Sequence, residues 1–361
     1  MSGPADGKTV TEYVEILKKE IQSYKEFAKD YDVSTVFFGG GTPSLLNGEQ
    51  MAKLMEAIKN TFSIREDVEI TMEANPGTVT KTNLAAYIAA GINRISFGLQ
   101  SAKNEELKML GRIHTFEEFL ESYDMAREAG FQNVNVDLIS AIPGQTLISW
   151  EETLRAVVDL QPEHISAYSL IVEEGTPFEK LYGEGCEKEH LLPDEDEERR
   201  IYERTEEILK SAGYHRYEIS NYAKEGYECR HNLGYWERKE YLGLGLGASS
   251  LLNETRFHNT ENMEKYLANA GKEAMLWEDE EVLTIQEQME EFVFLGLRKM
   301  EGIKETDFEE DFGTSIWDCY GENLRRVMEE GLLIKDNGYL RLTKKGIDVC
   351  NYVFAEILWE D

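Results

Sequence analysis

The sequence predicts an α/β fold in which parallel strands alternate with helices, either as a (β/α) barrel or as a doubly wound sheet. Three observations favour it: short β-branched or aromatic runs recur, helical apolar patterns separate them, and glycines stand where helices end. The runs lie at residues 34–38, 68–73, 94–99, 133–139 and 164–170. The helices are expected near residues 48–61, 80–90, 115–129, 147–159 and 194–212, with Gly91, Gly130 and Gly213 as C-caps. Strands connected in this way run parallel through right-handed crossovers.

Two features refine this prediction. A helix near residues 9–30 begins at a capping-box spacing and precedes the first strand run, so no strand is expected before it. The strand runs themselves read as apolar on both faces, which is typical of a sheet covered by helices on one side and packed on the other.

The composition limits the classes of function. Of 361 residues, 41% are apolar, which suffices for one large and one smaller domain. The formal net charge of −32 disfavours nucleic acid and anionic membrane surfaces as partners. No apolar run approaches the roughly 18 residues of a membrane span, and no export signal is visible. A cytoplasmic protein with free thiols is therefore expected.

The last part of the chain has a different pattern. Helices near 284–300, 304–311 and 316–330 precede a hairpin at 332–342, whose turn is Asn337-Gly338, and a last helix near 343–358. This order is typical of a winged-helix domain, but 18 acidic against 9 basic residues favour a structural role over DNA binding. The predicted domains are a barrel at 1–213, a connector at 214–283 and the winged-helix-like domain at 284–361.

Polar side chains follow the predicted strands at their carboxyl ends. Gly39-Gly40-Gly41-Thr42 follows the first run, and Glu73, Gln100 and Asp137 stand at equivalent positions on the next three. In a barrel such residues converge on one mouth, and the acidic and amide groups suit a polar small molecule with hydroxyl and amine groups. The alternatives are a tight strand-to-helix turn for the glycines and a structural ion pair for Glu73.

These segments, with Arg112-x-His114 and Pro143-Gly144-Gln145-Thr146, resemble the radical-SAM proteins related to oxygen-independent coproporphyrinogen III oxidase. The resemblance runs from about residue 33 to the C-terminus. It implies a partial (β/α)6 barrel, here missing its first strand, plus a C-terminal winged-helix-like helical domain. It also implies contacts to S-adenosylmethionine (SAM) from a set of strand-end residues, namely Gly40, Gly41, Thr42, Glu73, Gln100, Arg112 and Asp137.

A second segment separates two branches of that family. Cys229-Arg230-His231-Asn232-Leu233-Gly234-Tyr235-Trp236 is similar to the HNxxYW signature of the HemW branch. That resemblance implies a heme chaperone without coproporphyrinogen oxidase activity, which passes heme to an acceptor hemoprotein. A membrane-associated acceptor and a homodimer are open options. The heme-binding candidates are His231, Cys229, Tyr235 and Trp236, because an imidazole or thiolate can bind iron and aromatic rings offer flat apolar surface. The alternative is a connector whose side chains only pack.

The sequence departs from the family at one point. The CxxxCxxC motif that binds a [4Fe–4S] cluster is absent, since Cys186, Cys229, Cys319 and Cys350 lie far apart. We expect a truncated form or a start codon assigned too late, rather than a natural homologue without the cluster. We also expect weak SAM binding and no radical chemistry from the chain as printed. An oxidase-like enzyme and a SAM-independent binding barrel are the alternative functions.

Overall fold

The computed structural model describes residues 7–269 and 271–357, which form two compact units. The first unit contains residues 7–36 and 46–68 and the described residues from Arg230 onward. The second contains Phe37–Leu45 and Glu69–Cys229. The predicted domain boundaries at 213 and 283 remain predictions.

A curled sheet of seven strands forms the half barrel, with strand order β1-β2-β3-β4-β5-β7-β6. Strands β2 to β5 pair in parallel, and β7 pairs antiparallel with both β5 and β6. β1 stands at one end of the order. The strands are β1 (Asp32–Phe38), β2 (Ser63–Ala74), β3 (Arg94–Gln100), β4 (Val134–Ser140), β5 (His164–Ser169), β6 (His215–Arg216) and β7 (Asn221–Ala223).

Helices separate these strands where the apolar pattern predicts them. Thr146 caps one of them with a reciprocal side-chain pair, and Gly91 and Gly130 end two others at left-handed φ values of 112° and 113°. The helices up to the end of the barrel are α1 (Gly7–Ser23), α2 (Gly48–Thr61), α3 (Lys81–Ala90), α4 (Asn104–Met109), α5 (Phe116–Ala129), α6 (Leu147–Asp159), α7 (Glu179–Tyr182) and α8 (Glu195–Ser211). The α/β prediction and the barrel alternative are confirmed.

The strand faces differ from the prediction. The residues of β3 and β4 that alternate toward the helices are buried and apolar, as in Phe97, which meets Phe119 of α5 edge-on at 6.1 Å. The other face of β2 to β5 is polar, which makes the expectation of two apolar faces wrong. Its members are Glu69, Thr71, Glu73, Arg94, Ser96, Asn135, Asp137, His164 and Ser166. Because polar groups can be buried when they bond one another, this face forms a hydrogen-bonded interior.

The helix predicted at 9–30 is shorter than expected. α1 ends at Ser23, whose hydroxyl donates to the Glu20 carbonyl and so competes with the next helical turn. A turn and a short 3₁₀ helix at Phe27–Asp30 lead into β1.

The remainder of the first unit begins with α9 (Arg230–Trp236). A three-stranded antiparallel sheet follows, from β8 (Ser249–Leu252), β9 (Thr255–Asn259) and β10 (Trp277–Val282), with α10 (Met263–Ala268) between β9 and β10. None of the described helices combines the length and apolar character that a membrane span requires.

The C-terminal elements follow the predicted winged-helix order. They are α11 (Ile285–Gly296), β11 (Ile303–Lys304), α12 (Glu305–Phe312), α13 (Ile316–Glu329), β12 (Leu333–Asp336), β13 (Tyr339–Leu342), α14 (Lys344–Asp348) and α15 (Cys350–Ile357). The hairpin turns through Asn337 and Gly338, whose φ values of 50° and 82° suit a primed turn. The single last helix predicted at 343–358 is wrong, because Val349 leaves the helical region with a φ of −125°. Residue 358 lies outside the described residues.

Candidate functional site

The glycine turn after β1 exposes backbone groups at the carboxyl edge of the sheet. Gly40 and Gly41 have φ values of 70° and 56°, which residues other than glycine rarely adopt. A Cβ placed on either residue would meet nothing within 4 Å, so the space beside them is open. Thr42 follows, and its hydroxyl accepts a hydrogen bond from the Asn75 amide at 3.2 Å. The turn therefore offers a fixed, open cradle for a ligand.

Glu73 faces this turn from β2. Its carboxylate accepts a hydrogen bond from the Gly40 N–H at 3.2 Å. Burial, and then the charge of Asp137, raise the pKa of Glu73, while the Gly40 bond partly opposes them. A ligand cation or hydroxyl donor near Glu73 would relieve this unfavourable charge.

Asp137, Arg112 and Gln100 complete the set in the second unit. Burial lowers the pKa of the Arg112 guanidinium, and the negative charge of Asp137 partly opposes this shift. The same charge adds to the raised pKa of Glu73. Gln100 is buried and holds a left-handed φ of 74° directly after an irregularity in the β3 and β4 pairing. The side chains of Glu73, Asp137 and Arg112 thus interact electrostatically, with Asp137 affecting the other two.

Glu73, Gln100 and Asp137 do not lie opposite one another in the register of the sheet. Glu73 pairs with Ser96, and Ser96 pairs with Asn135, two residues before Asp137. Gln100 pairs with Leu138, one residue after Asp137. The prediction of equivalent positions is therefore wrong, because barrel strands are staggered and β3 contains an irregularity.

A chain of hydrogen bonds beneath the strand ends holds Asp137. The Asn135 amide donates to Asp137 Oδ1 at 2.7 Å and to Ser96 Oγ at 2.7 Å. Ser96 in turn donates to Asp137 Oδ2 at 3.0 Å. Both carboxylate oxygens are thus fixed from inside the barrel.

The same chain continues through His164 to Tyr217. Burial, and then the charge of Arg94, hold the pKa of His164 well below its usual value, so its ring is neutral. Its Nδ1–H donates to Asn135 Oδ1 at 2.6 Å, so Nε2 accepts from the Tyr217 hydroxyl at 2.7 Å. The Tyr217 oxygen accepts the Cys229 N–H at 3.2 Å. Each group in this chain donates to the next one in the direction of Asp137. The hydrogen positions follow because a neutral imidazole has one donor and one acceptor nitrogen, and a carboxylate only accepts.

The interior residues were missed by sequence reasoning. The signal was present, because Asn135 and Asp137, Arg94 and Ser96, and His164 and Ser166 each alternate by two along a strand. Counting the polar residues at alternate positions would have found this face.

Three of the four heme candidates lie together in the first unit. On α9, His231 Nε2 and the Tyr235 hydroxyl are 3.0 Å apart, and the two rings meet edge-on with centroids at 4.9 Å. His231 Nδ1 lies 2.9 Å from Thr35 Oγ1 of β1. Trp236 is half-buried, and the Arg298 guanidinium lies 5.2 Å from its ring centroid. His231 and Tyr235 therefore contact each other directly, and Trp236 packs beside the Arg298 guanidinium.

Cys229 differs from the other candidates. It belongs to the second unit, is 0% exposed, and places its Sγ 3.5 Å from Glu69 Oε1. A thiol in this position has no access to a ligand from solvent. Its assignment as an iron ligand remains a prediction that would require the residue to become exposed.

The donor sets can be compared with the groups that the family implies. The Gly40 and Gly41 turn, the two carboxylates and Arg112 fit SAM, which carries an ammonium, a carboxylate and ribose hydroxyls. A [4Fe–4S] cluster needs several thiolates. Within 7–269 and 271–357, one group of three metal-binding side chains lies close enough together to share an ion, namely His215, Glu225 and Glu228, and it contains no thiol. The described residues do not fit a cluster.

The raised pKa of Glu73 leads to a prediction. A carboxyl whose pKa is higher in the folded state costs stability as the pH rises from its unfolded value of about 4.3 through the folded value. Glu73→Gln should therefore raise Tm slightly at pH 7 and have no such effect near pH 4, measured by thermal unfolding. Glu49→Gln, an exposed carboxylate in an i,i+4 pair, is the control. A loss of stability at pH 7 in Glu73→Gln would contradict this account.

Comparison with known proteins connects these features to a family. The model of the Radical SAM superfamily matches residues 4–157, and that of the HemN C-terminal domain matches residues 283–349. The heme chaperone HemW of Lactococcus lactis is 37% identical over 355 residues, which cover 98% of this chain and 91% of that protein. Heme chaperone HemW of Bacillus subtilis is 37% identical over 352 residues, covering 97% and 92%.

A solved structure has the same fold. Coproporphyrinogen III oxidase (HemN) from Escherichia coli, described as a radical SAM enzyme, superposes with a TM-score of 0.83 at 22% identity. The match covers 98% of this chain and 84% of that one. With the half barrel, the strand-end residues and the full-length similarity together, the chain belongs to the HemW family of heme chaperones, on a radical-SAM scaffold.

Proposed function

We propose that this chain binds heme through His231 Nε2 on α9 and passes it to an acceptor hemoprotein. The observation that supports this most is the arrangement of His231, which is held on one side by Thr35 and faces the partly exposed Tyr235 on the other. A neutral imidazole can bind heme iron, and the Tyr235 and Trp236 rings provide apolar surface for the macrocycle. The relatives named as heme chaperones support the same assignment.

The strand-end residues form the second part of the proposal. Gly40, Gly41 and Thr42 would hold the amino-acid part of SAM, with Arg112 near its carboxylate. Glu73, Gln100 and Asp137 would accept from its ammonium and hydroxyl groups. When bound in this family, SAM supplies a sulfonium centre open to reduction by an iron–sulfur cluster. We assign these residues to binding alone.

Location and partners complete the proposal. The proposal includes a cytoplasmic location for the protein. A membrane-associated acceptor and a homodimer are open options of the same proposal. Turnover of coproporphyrinogen is not expected of this chain, and its detection would favour the oxidase-like alternative.

Heme titration followed by visible absorbance tests the proposal. The wild-type chain should bind heme with a distinct Soret band, and His231→Ala should weaken binding at least about tenfold, because the iron loses its nitrogen ligand. His190→Ala is the matched control, since His190 is exposed and bonds the Glu187 carbonyl. Transfer to an apo-hemoprotein, such as apomyoglobin, then separates a chaperone from a heme sink.

Two outcomes would contradict the proposal. Equal heme affinity in wild type and His231→Ala would remove His231 as the ligand. Heme that binds but never leaves for an excess of apo-acceptor would argue against a chaperone.

A further inference from the structure

We propose that Thr35 positions the His231 ring for iron binding, and that the Tyr235 hydroxyl is a displaceable cap on the nitrogen that binds iron. This inference rests on the proposed heme site and assigns roles to two residues beside its ligand. All three residues lie in the first unit, on β1 and α9.

The two ring nitrogens of His231 have unequal surroundings. Nδ1 faces Thr35 Oγ1 at 2.9 Å in a half-buried contact. Nε2 faces the Tyr235 hydroxyl at 3.0 Å in an exposed contact, and Tyr235 is 37% exposed. A macrocycle arriving from solvent therefore meets Nε2 first.

The hydrogen assignment follows from that geometry and from what metal binding requires. Histidines that bind metals usually donate their other ring N–H to a fixed acceptor, which sets the tautomer and the ring orientation. Thr35 Oγ1 can accept from Nδ1–H, and this leaves a lone pair on Nε2. The Tyr235 hydroxyl then donates to that lone pair in the heme-free state.

Iron binding requires one exchange at Nε2. The O–H···N hydrogen bond from Tyr235 breaks, the Nε2 lone pair forms a bond to iron, and the hydroxyl turns to water. No electron is transferred and the Nδ1 proton stays in place. The Tyr235 ring is held edge-on to the Tyr241 ring, with centroids 4.8 Å apart, so it can remain beside the macrocycle after its hydroxyl is released.

Three variants separate these roles in heme titration. Tyr235→Phe keeps the ring and removes the cap, so it should bind heme about fivefold more tightly, the equivalent of one hydrogen bond of roughly 1 kcal/mol. Thr35→Val keeps the β-branched shape and removes the acceptor, so it should bind heme about fivefold more weakly. Thr35→Ser should restore wild-type affinity. Unchanged affinity in Thr35→Val, or weaker binding in Tyr235→Phe, would overturn the assignment.

A second measurement is independent of heme. Nitrogen-15 NMR of the heme-free chain should show His231 with its hydrogen on Nδ1, and Thr35→Val should lose this preference while its melting temperature stays near that of wild type. A dominant Nε2–H tautomer in the wild type would refute the inference. Failure of the wild type to bind heme would instead count against the proposed function, and the NMR result would still decide whether Thr35 sets the tautomer of His231.

Discussion

Replacing Asn135 with leucine should lower the free energy of unfolding by about 2–4 kcal/mol, since buried polar groups cost roughly 1–3 kcal/mol each when left without partners. The Asn135 side chain bonds three neighbours at 2.6–2.7 Å, and all of them lie in the barrel interior. Its removal leaves the His164 N–H without an acceptor and Asp137 Oδ1 without its donor. The measurement is chemical denaturation of the full chain, followed by circular dichroism.

Asn133→Leu is the matched control for this substitution. Asn133 lies two residues earlier, and its buried Oδ1 has no hydrogen-bond partner, so removal of the amide should cost little or even stabilise the fold. Equal losses in the two variants would mean that the network contributes nothing beyond side-chain volume.

The second large effect is expected at Arg94. Its side chain is 2% exposed, and although burial lowers its pKa, the surrounding groups, with Cys229 and Glu69 first, outweigh burial and raise it. Arg94→Leu would leave the buried Glu69 without this compensating charge, a change that typically costs about 3–5 kcal/mol. The loss should appear as a lower denaturation midpoint with an unchanged slope.

Two further variants show whether charge is the cause. Arg155→Leu removes an exposed arginine paired to Glu151 at 3.5 Å and should change stability by less than about 1 kcal/mol. The double variant Arg94→Leu/Glu69→Leu should be more stable than Arg94→Leu alone, because it no longer buries a carboxylate that has lost the charge of Arg94. If the double variant loses as much stability as Arg94→Leu and Glu69→Leu lose separately when added together, packing dominates.

Much of the fold follows from local sequence. The helices at Gly48–Thr61 and Leu147–Asp159 lie where the apolar period predicts them, and Asn47 and Thr146 cap their N-termini. The turn at Asn337-Gly338 was likewise predictable, because few residue pairs adopt two positive φ values. These features depend on neighbours within a few positions in the chain.

The site is predictable only in part. The glycine turn and the residues Glu73, Gln100 and Asp137 were visible as unusual chemistry at strand ends, but their relative levels depend on the stagger between strands. The contact between Thr35 and His231 joins residues 196 positions apart, and no local pattern reports it. Cys229 was expected beside its neighbour His231, yet burial against Glu69 separates its chemistry from that of the imidazole.

The polar interior also bears on how the chain reaches its fold. Parallel strands rich in valine and isoleucine could align in several ways that bury hydrocarbon almost equally well. A shift of β4 by one residue would turn Asn135 and Asp137 toward the helices and leave His164 facing valine. Such misaligned states would carry several unpaired polar groups, so they should be disfavoured before the helices close over the sheet. The network therefore favours the native strand alignment over the alternatives. Variants that lose it should refold more slowly and form more aggregates than their equilibrium stability alone would suggest.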